Sequence, residues 1–220
     1  MRFFGNYTIC SINDLLKCIH DCKNMDHGSW HWYRGHGDES WNLLPSIARC
    51  PYNKSKYEQY MSTNFYVEVS KRKKDLPSDN ASWLCYMQHY GLPTRLLDWS
   101  ESPLVALYFA VCNEKEYNVD GKLWILDPIQ LNKSQGYGSY VPPMDVDYGI
   151  IDRLIKPVFN NKIKSPEEII ATRTVDSDLR MYVQQSAFTI HGVRTPLEDY
   201  EAKLKAKDNI LSSVIIPKEH

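Results

Sequence analysis

The stretch WHWYRGHGD at residues 30–38 crowds three aromatics, two histidines and an arginine around a pair of glycines. Neither a plain core strand nor a plain turn needs that mixture, and Arg34 is the residue to explain. A planar guanidinium matches phosphate and carboxylate oxygens two at a time, so an arginine at the end of a strand suits an anionic ligand. A second group of polar residues lies in QHYGLPTRLLDWSESPLVALYFAV, residues 88–111, where Gln88 and His89 end one apolar element and Thr94, Arg95 and Asp98 flank the next. Gln184 stands just before a third, SAFTI. Polar side chains at the edges of strongly apolar elements line the mouths of clefts.

Each of these residues also has a plainer reading. An arginine three residues from an aspartate is more often a structural ion pair, which is the expectation for Arg95 with Asp98. His89 suits a helix end, and Trp30, Trp32 and Tyr33 suit a core or a cleft wall. Arg34, Thr94 and Gln184 have no comfortable structural explanation. By spacing alone the pattern indicates a cleft and names no reaction.

Several chemistries are absent by motif. There is no G-x-S-x-G, no G-x-x-x-x-G-K-[ST], no H-E-x-x-H, and no G-x-G-x-x-G following a strand. No metal site is expected. Cys18 and Cys22 fall four apart on an amphipathic pattern beside Leu15 and Ile19, which reads as a buried helix face even with His20 and His27 nearby. The six cysteines include no C-x-x-C pair and are expected to be mostly reduced core thiols. Lys plus Arg (26) nearly balances Asp plus Glu (27), so no global field gathers nucleic acid or anionic membrane, and the run Lys71–Lys74 reads as a solvated helix end. No apolar stretch approaches a membrane span and no signal layout is present, so a soluble, cytoplasmic protein is expected.

The elements that must position these residues follow from local pattern. Ser11 with Asp14 caps a helix whose stripe is Ile12, Leu15, Leu16 and Ile19. Aromatics at helical spacing between Lys54 and Lys73, and Trp83, Met87 and Tyr90 ahead of Gly91, predict two more helices. Ser102 and Pro103 open the helix LVALYFAV, expected to be largely buried because it is apolar on nearly every face. WHWYRG, TRLLDW, KLWIL, SAFTI and SSVIIP are predicted strands. Residues 128–165 predict a long, partly irregular excursion, and Ser165-Pro166-Glu167-Glu168 a helix start. The whole is expected to be one α+β domain spanning residues 1–220, with a strongly twisted, mostly antiparallel central sheet flanked by helices.

WYRGH, YMQHYGLPTRLLDWSESPLVALYFAV and RMYVQQSAFTIHG together resemble the FRG domain, a family of mostly bacterial and phage-related proteins named for its [F/Y]-R-G tripeptide. The likeness runs from about Trp30 to Pro217. It departs from the family pattern at Ser186, where glycine is usual in Q-x-G-x-F, and the chain stops at His220 where family members continue into a further helix and a short F-P-[DE]-L segment.

The order of motifs is also similar, more distantly, to ADP-ribosyltransferases. That resemblance implies an ADP-ribosyltransferase-like fold and an enzyme that uses NAD as a substrate, with no metal, to modify a protein or nucleic-acid acceptor, as a toxin or anti-phage effector would. It implies catalytic roles for Arg34, Thr94 and Gln184. Tyr33, Arg34, His89, Arg95 and Asp98 would contact the dinucleotide. Gln184 stands where many transferases carry a glutamate, and a glutamine can orient a ribose without offering negative charge to the developing cation. Two other classes stay open: a nucleotide- or nucleic-acid-binding module without catalysis, and a structural interaction domain. Convergence of Arg34, Thr94 and Gln184 in one pocket is the observation that separates them.

Overall fold

The computed structural model describes residues 2–25, 30–53, 57–113, 116–144, 149, 151–173, 185–204 and 209–219. Seven strands, β1 (Arg2–Thr8), β2 (Trp32–His36), β3 (Leu96–Ser100), β4 (Gly121–Leu126), β5 (Ile169–Thr172), β6 (Ser186–His191) and β7 (Leu211–Ile216), form one sheet in the order β1-β7-β4-β2-β3-β6-β5. Only β1 and β7 pair in parallel; the other neighbours are antiparallel. Helices α1 (Ile12–Met25), α2 (Tyr57–Ser70), α3 (Asn80–His89), α4 (Pro103–Val111), α5 (Pro128–Ser134), α6 (Asp152–Phe159) and α7 (Leu197–Glu201) accompany it. The class is α+β, and all five strands expected from alternation are present. No described helix is long and apolar enough to cross a membrane.

The helix starts follow the capping logic. Ser11 Oγ accepts from the Asp14 amide at 3.2 Å, and Asp14 reaches back to the Cys10 amide at the same distance. Asp79 caps α3 through the Ser82 amide, and Ser102 caps α4 with Pro103 in its first turn. Asp127 and Pro128 repeat that device for α5. Residues 128–165 therefore contain two helices, α5 and α6, and are less irregular than expected. The helix start expected at Ser165–Glu168 is not present; these residues lead into β5, which begins at Ile169. Ile169–Thr172 are all buried and pair along β6 from His191 to Phe188, so the ladder, not the S-P-E-E signal, sets the conformation.

The sheet is packed on both faces. Trp32, Leu97, Trp99, Trp124, Leu126, Ala187 and Leu211 build one face's core. On the other face, Leu15, Cys18, Ile19 and Cys22 of α1 meet Tyr33, Leu123, Ile125 and Val214 at one end, while Leu84, Met87, Leu154 and Ile155 meet Leu96, Phe188 and Ile190 at the other. Cys18 and Cys22 are buried on the helix face as expected. Cys85 is also buried, but Cys10, Cys50 and Cys112 are exposed, so the thiols divide evenly between core and surface.

The expectation that α4 is largely buried is overturned. Only Ala106 and Ala110 are buried, and Leu104, Tyr108, Phe109 and Val111 are exposed. The physical reason lies in β2: α4 lies so close to Gly35 that only its small residues fit against the sheet, and the large ones turn outward. A Cβ on Gly35 would overlap the Ala106 carbonyl oxygen and sit 2.7 Å from the Ala110 nitrogen. Both are helix backbone, so neither yields by a rotamer change. Gly35→Ala is expected to lower unfolding free energy by about 3 kcal/mol, the upper end of ordinary overpacking costs, as read by urea denaturation. A loss below about 1 kcal/mol would show that α4 can shift.

Candidate functional site

The cleft arises from a break in the sheet. β2 pairs with β4 along its whole length, Trp32↔Leu126 to His36↔Lys122, and β3 pairs with β6 along its whole length, Leu96↔Ile190 to Ser100↔Ser186. Between β2 and β3 the ladder has one partner pair, Tyr33↔Ser100. Beyond it the strands part, and Arg34 Nη1 donates to the Asp98 carbonyl at 2.6 Å in place of strand pairing. A cleft of about 380 Å³ opens at this seam. Arg34 and Gly35 line one bank and Asp98 and Ser100 the other. Trp41, the end of α3, α4 and the start of β6 close the sides.

Arg34 is half-buried and held from behind. Its Nε donates to His36 Nε2 at 3.1 Å. His36 Nδ1 lies 3.2 Å from both the Trp41 carbonyl oxygen and the Trp124 indole nitrogen. Burial, and then the Arg34 charge, push His36 down to about 3, so the imidazole is neutral at pH 7 and keeps a lone pair for the guanidinium. Burial also lowers the Arg34 pKa, against the opposing field of Asp98, and the group stays charged. Arg34 Nη2 engages no described residue. His36 thereby links the arginine to the loop bearing Trp41, whose indole is 45% exposed at the cleft rim.

Across the cleft runs a chain of three side chains. Thr94 is completely buried; its Oγ1 accepts from the Leu96 amide at 3.1 Å and donates to Gln88 Oε1 at 2.5 Å. Gln88 Nε2 in turn donates to Asp98 Oδ2 at 2.9 Å. Since the glutamine oxygen is taken by the threonine hydroxyl, its amino group must face the aspartate. Thr94 therefore stands behind Gln88, which lines the cleft along with the exposed ring of His89.

The structure brings Arg34, Tyr33, His89 and Asp98 to one cleft, with Thr94 one side chain behind. Tyr33 contributes ring surface, and burial, then the Cys22 and Cys18 thiols, raises its phenol's pKa, so it is a neutral wall. Arg95 is elsewhere. It stands just ahead of β3, and the expected Arg95–Asp98 ion pair is replaced by Arg95–Glu58, with Nε–Oε1 at 2.8 Å and Nη2–Oε2 at 2.6 Å. Gln184 lies outside the described residues. Its neighbour Gln185 adopts φ 47°, and its carbonyl accepts from the Glu101 amide at 3.0 Å, just before Ser186 enters the cleft wall.

Four participants were not legible as site residues in the sequence. His36 is two residues from Arg34, hence on the same face of the strand, a signal that period-two alternation contains. Gln88 was noted at a helix end without its partners. Trp41 and Phe109 had no local signal, because their roles depend on where the loop and α4 come to rest. Among the described residues no group of three or more His, Cys, Asp or Glu side chains is placed to hold a metal ion.

No curated protein and no solved structure matches the chain. The family model of the FRG domain matches residues 29–119, which hold β2, α2, α3, β3 and α4 and so every cleft element described above except β6. The resemblance to the FRG domain thus holds over residues 29–119, the part of the chain that sets Arg34, Gln88 and Asp98 at the open seam of the sheet.

Proposed function

We propose that the cleft binds a nucleotide and that the chain is an NAD-using, ADP-ribosyltransferase-like enzyme. The observation that carries this reading is Arg34, set at the open seam with one amino group uncommitted and with the exposed aromatics Trp41 and Phe109 lining the same cleft. Such a site offers a guanidinium for phosphate oxygens and flat apolar surface for a base or nicotinamide. In the proposed reaction the nicotinamide–ribose C–N bond breaks, its electron pair leaves with nicotinamide, and an acceptor nucleophile bonds to the anomeric carbon. The barrier is formation of the oxocarbenium-like sugar, which the enzyme lowers by orienting the dinucleotide and by electrostatic stabilisation. Arg34 would hold the pyrophosphate, Tyr33 and His89 would flank it, and Gln184 would orient the ribose. The acceptor would be a protein or a nucleic acid, and the setting a bacterial cytoplasmic toxin or anti-phage effector.

A module that binds nucleic acid without catalysis is less favoured. In the basic run that would serve it, Lys71 and Arg72 bind Glu68 and Lys73 bonds Tyr90, so three of its four cations already have partners.

Calorimetric titration with NAD and with ADP-ribose tests the reading. Binding is expected for the wild type. Arg34→Lys keeps the charge but loses the fork, and should bind about tenfold more weakly or worse. The substitution also removes the bonds to Asp98 and His36, so a stability loss of about 1 kcal/mol accompanies it. No binding of either nucleotide at millimolar concentration would overturn the proposal.

A further inference from the structure

We infer that Asp98 is the catalytic residue that supplies negative charge to the reacting sugar, and that Thr94 and Gln88 are positioning residues that hold its carboxylate at the cleft. This rests on the nucleotide reading above and assigns the electrostatic role that Gln184, a neutral side chain, does not fill.

Four observations converge on Asp98. It is the one acidic side chain among the described residues that line the cleft. Its strand is otherwise closed, since Leu96, Leu97, Trp99 and Ser100 are buried and Asp98 alone is exposed. Its carboxylate lies in the field of Arg34 and Arg49 but is closed by neither: Arg34 bonds the Asp98 backbone carbonyl, and no described cation forms an ion pair with the carboxylate. Finally, Oδ2 is fixed by Gln88 Nε2 at 2.9 Å while Oδ1 is taken by no described residue.

The fixing is directional. The Leu96 amide occupies an acceptor position of Thr94 Oγ1, so the hydroxyl proton points to Gln88 Oε1 and the amide cannot flip without losing both of its bonds. A carboxylate that is anchored at one oxygen and open at the other is preorganised to face a developing cation. Arg34 and Asp98 thus divide the work across a single seam, the cation for the phosphates and the anion for the sugar. As nicotinamide leaves with the bonding pair, the positive charge on the anomeric carbon and ring oxygen faces Oδ1; the carboxylate forms no bond and accepts no proton, and the acceptor's proton passes to solvent after attack.

The test compares two probes by calorimetry: ADP-ribose, whose terminal sugar is uncharged, and an ADP-pyrrolidine analogue whose protonated ring nitrogen mimics the cationic sugar. The wild type is expected to prefer the cationic probe by about tenfold or more. Asp98→Asn should abolish that preference while binding ADP-ribose within about threefold of wild type. It should also slow nicotinamide release by about 100-fold with little change in KM, the size typical of losing one preorganised electrostatic group. Thr94→Val should erode the preference and Thr94→Ser, which keeps the hydroxyl, should restore it, a pattern that a purely structural threonine would not produce. If Asp98→Asn keeps the preference, the inference falls while the nucleotide reading stands. If neither probe binds the wild type, both fall together.

Discussion

Lowering the pH from 6.5 towards 4 is expected to destabilise the protein steeply, by about 2.7 kcal/mol per pH unit from two histidines alone. Both are almost fully buried and both are pushed down to about 3. Burial and then the Arg34 charge act on His36; burial, then Arg34 and Arg95, act on His191. In the unfolded chain each titrates near the ordinary value of about 6.5. Their folded values are depressed, so between about 3 and 6.5 the unfolded state binds protons that the native state refuses. The stabilisation is complete above 6.5 and is lost as pH falls. Over two pH units the loss is about 5 kcal/mol, which reaches the lower range of total stability for a domain. Denaturant titrations at pH 7, 6 and 5 measure it. His36→Gln and His191→Gln are each expected to remove about half of the pH slope, whatever they cost at pH 7. An unchanged slope in the double variant would assign the acid sensitivity to other groups. The same protonation would take from Arg34 the lone pair on His36 Nε2, so nucleotide binding should weaken over the acid limb along with stability.

The second large effect is expected at Arg95. Its guanidinium grips Glu58 with two bonds, donates to the Leu154 carbonyl at 2.6 Å and to Ser165 Oγ at 3.0 Å, and so ties α2, β3, α6 and the approach to β5 together. The side chains of the pair are only 7% and 12% exposed. Arg95→Met is expected to cost about 3–5 kcal/mol, chiefly because Glu58 is left as a buried charge without its partner. The double variant Arg95→Met, Glu58→Leu should recover much of that loss, since replacing both ions with apolar groups removes the desolvation penalty. Urea denaturation of the three variants forms the cycle. A single Arg95→Met that is neutral would show that water reaches Glu58. Arg34 differs: it lies within β2 and is open to the cleft, whereas Arg95, just ahead of β3, is closed within an ion pair.

The elements of this protein were largely legible in its sequence because they rest on local rules. Caps at Ser11 and Ser102 and alternation in five strands need no knowledge of distant residues, and they place Arg34 and Asp98 at strand positions correctly. The tertiary structure decided which polar groups were already taken. Arg95 is three residues from Asp98 but bonds Glu58, 37 residues away, and Thr94 spends its hydroxyl on Gln88, because the folded chain brings in partners that the local sequence does not show. The burial of α4 was likewise beyond local reading. Its apolar sequence suits an interior helix, but Gly35 admits only Ala106 and Ala110 against the sheet, and what a helix buries depends on the surface it meets. At Ser165–Glu168 a genuine helix-start pattern lost to the hydrogen bonds and burial of the β5–β6 ladder. The cleft itself is a property of pairing: it exists because β2 and β3 each complete a ladder with another neighbour and meet at one pair, and a sequence specifies residues along a strand but not where two strands part.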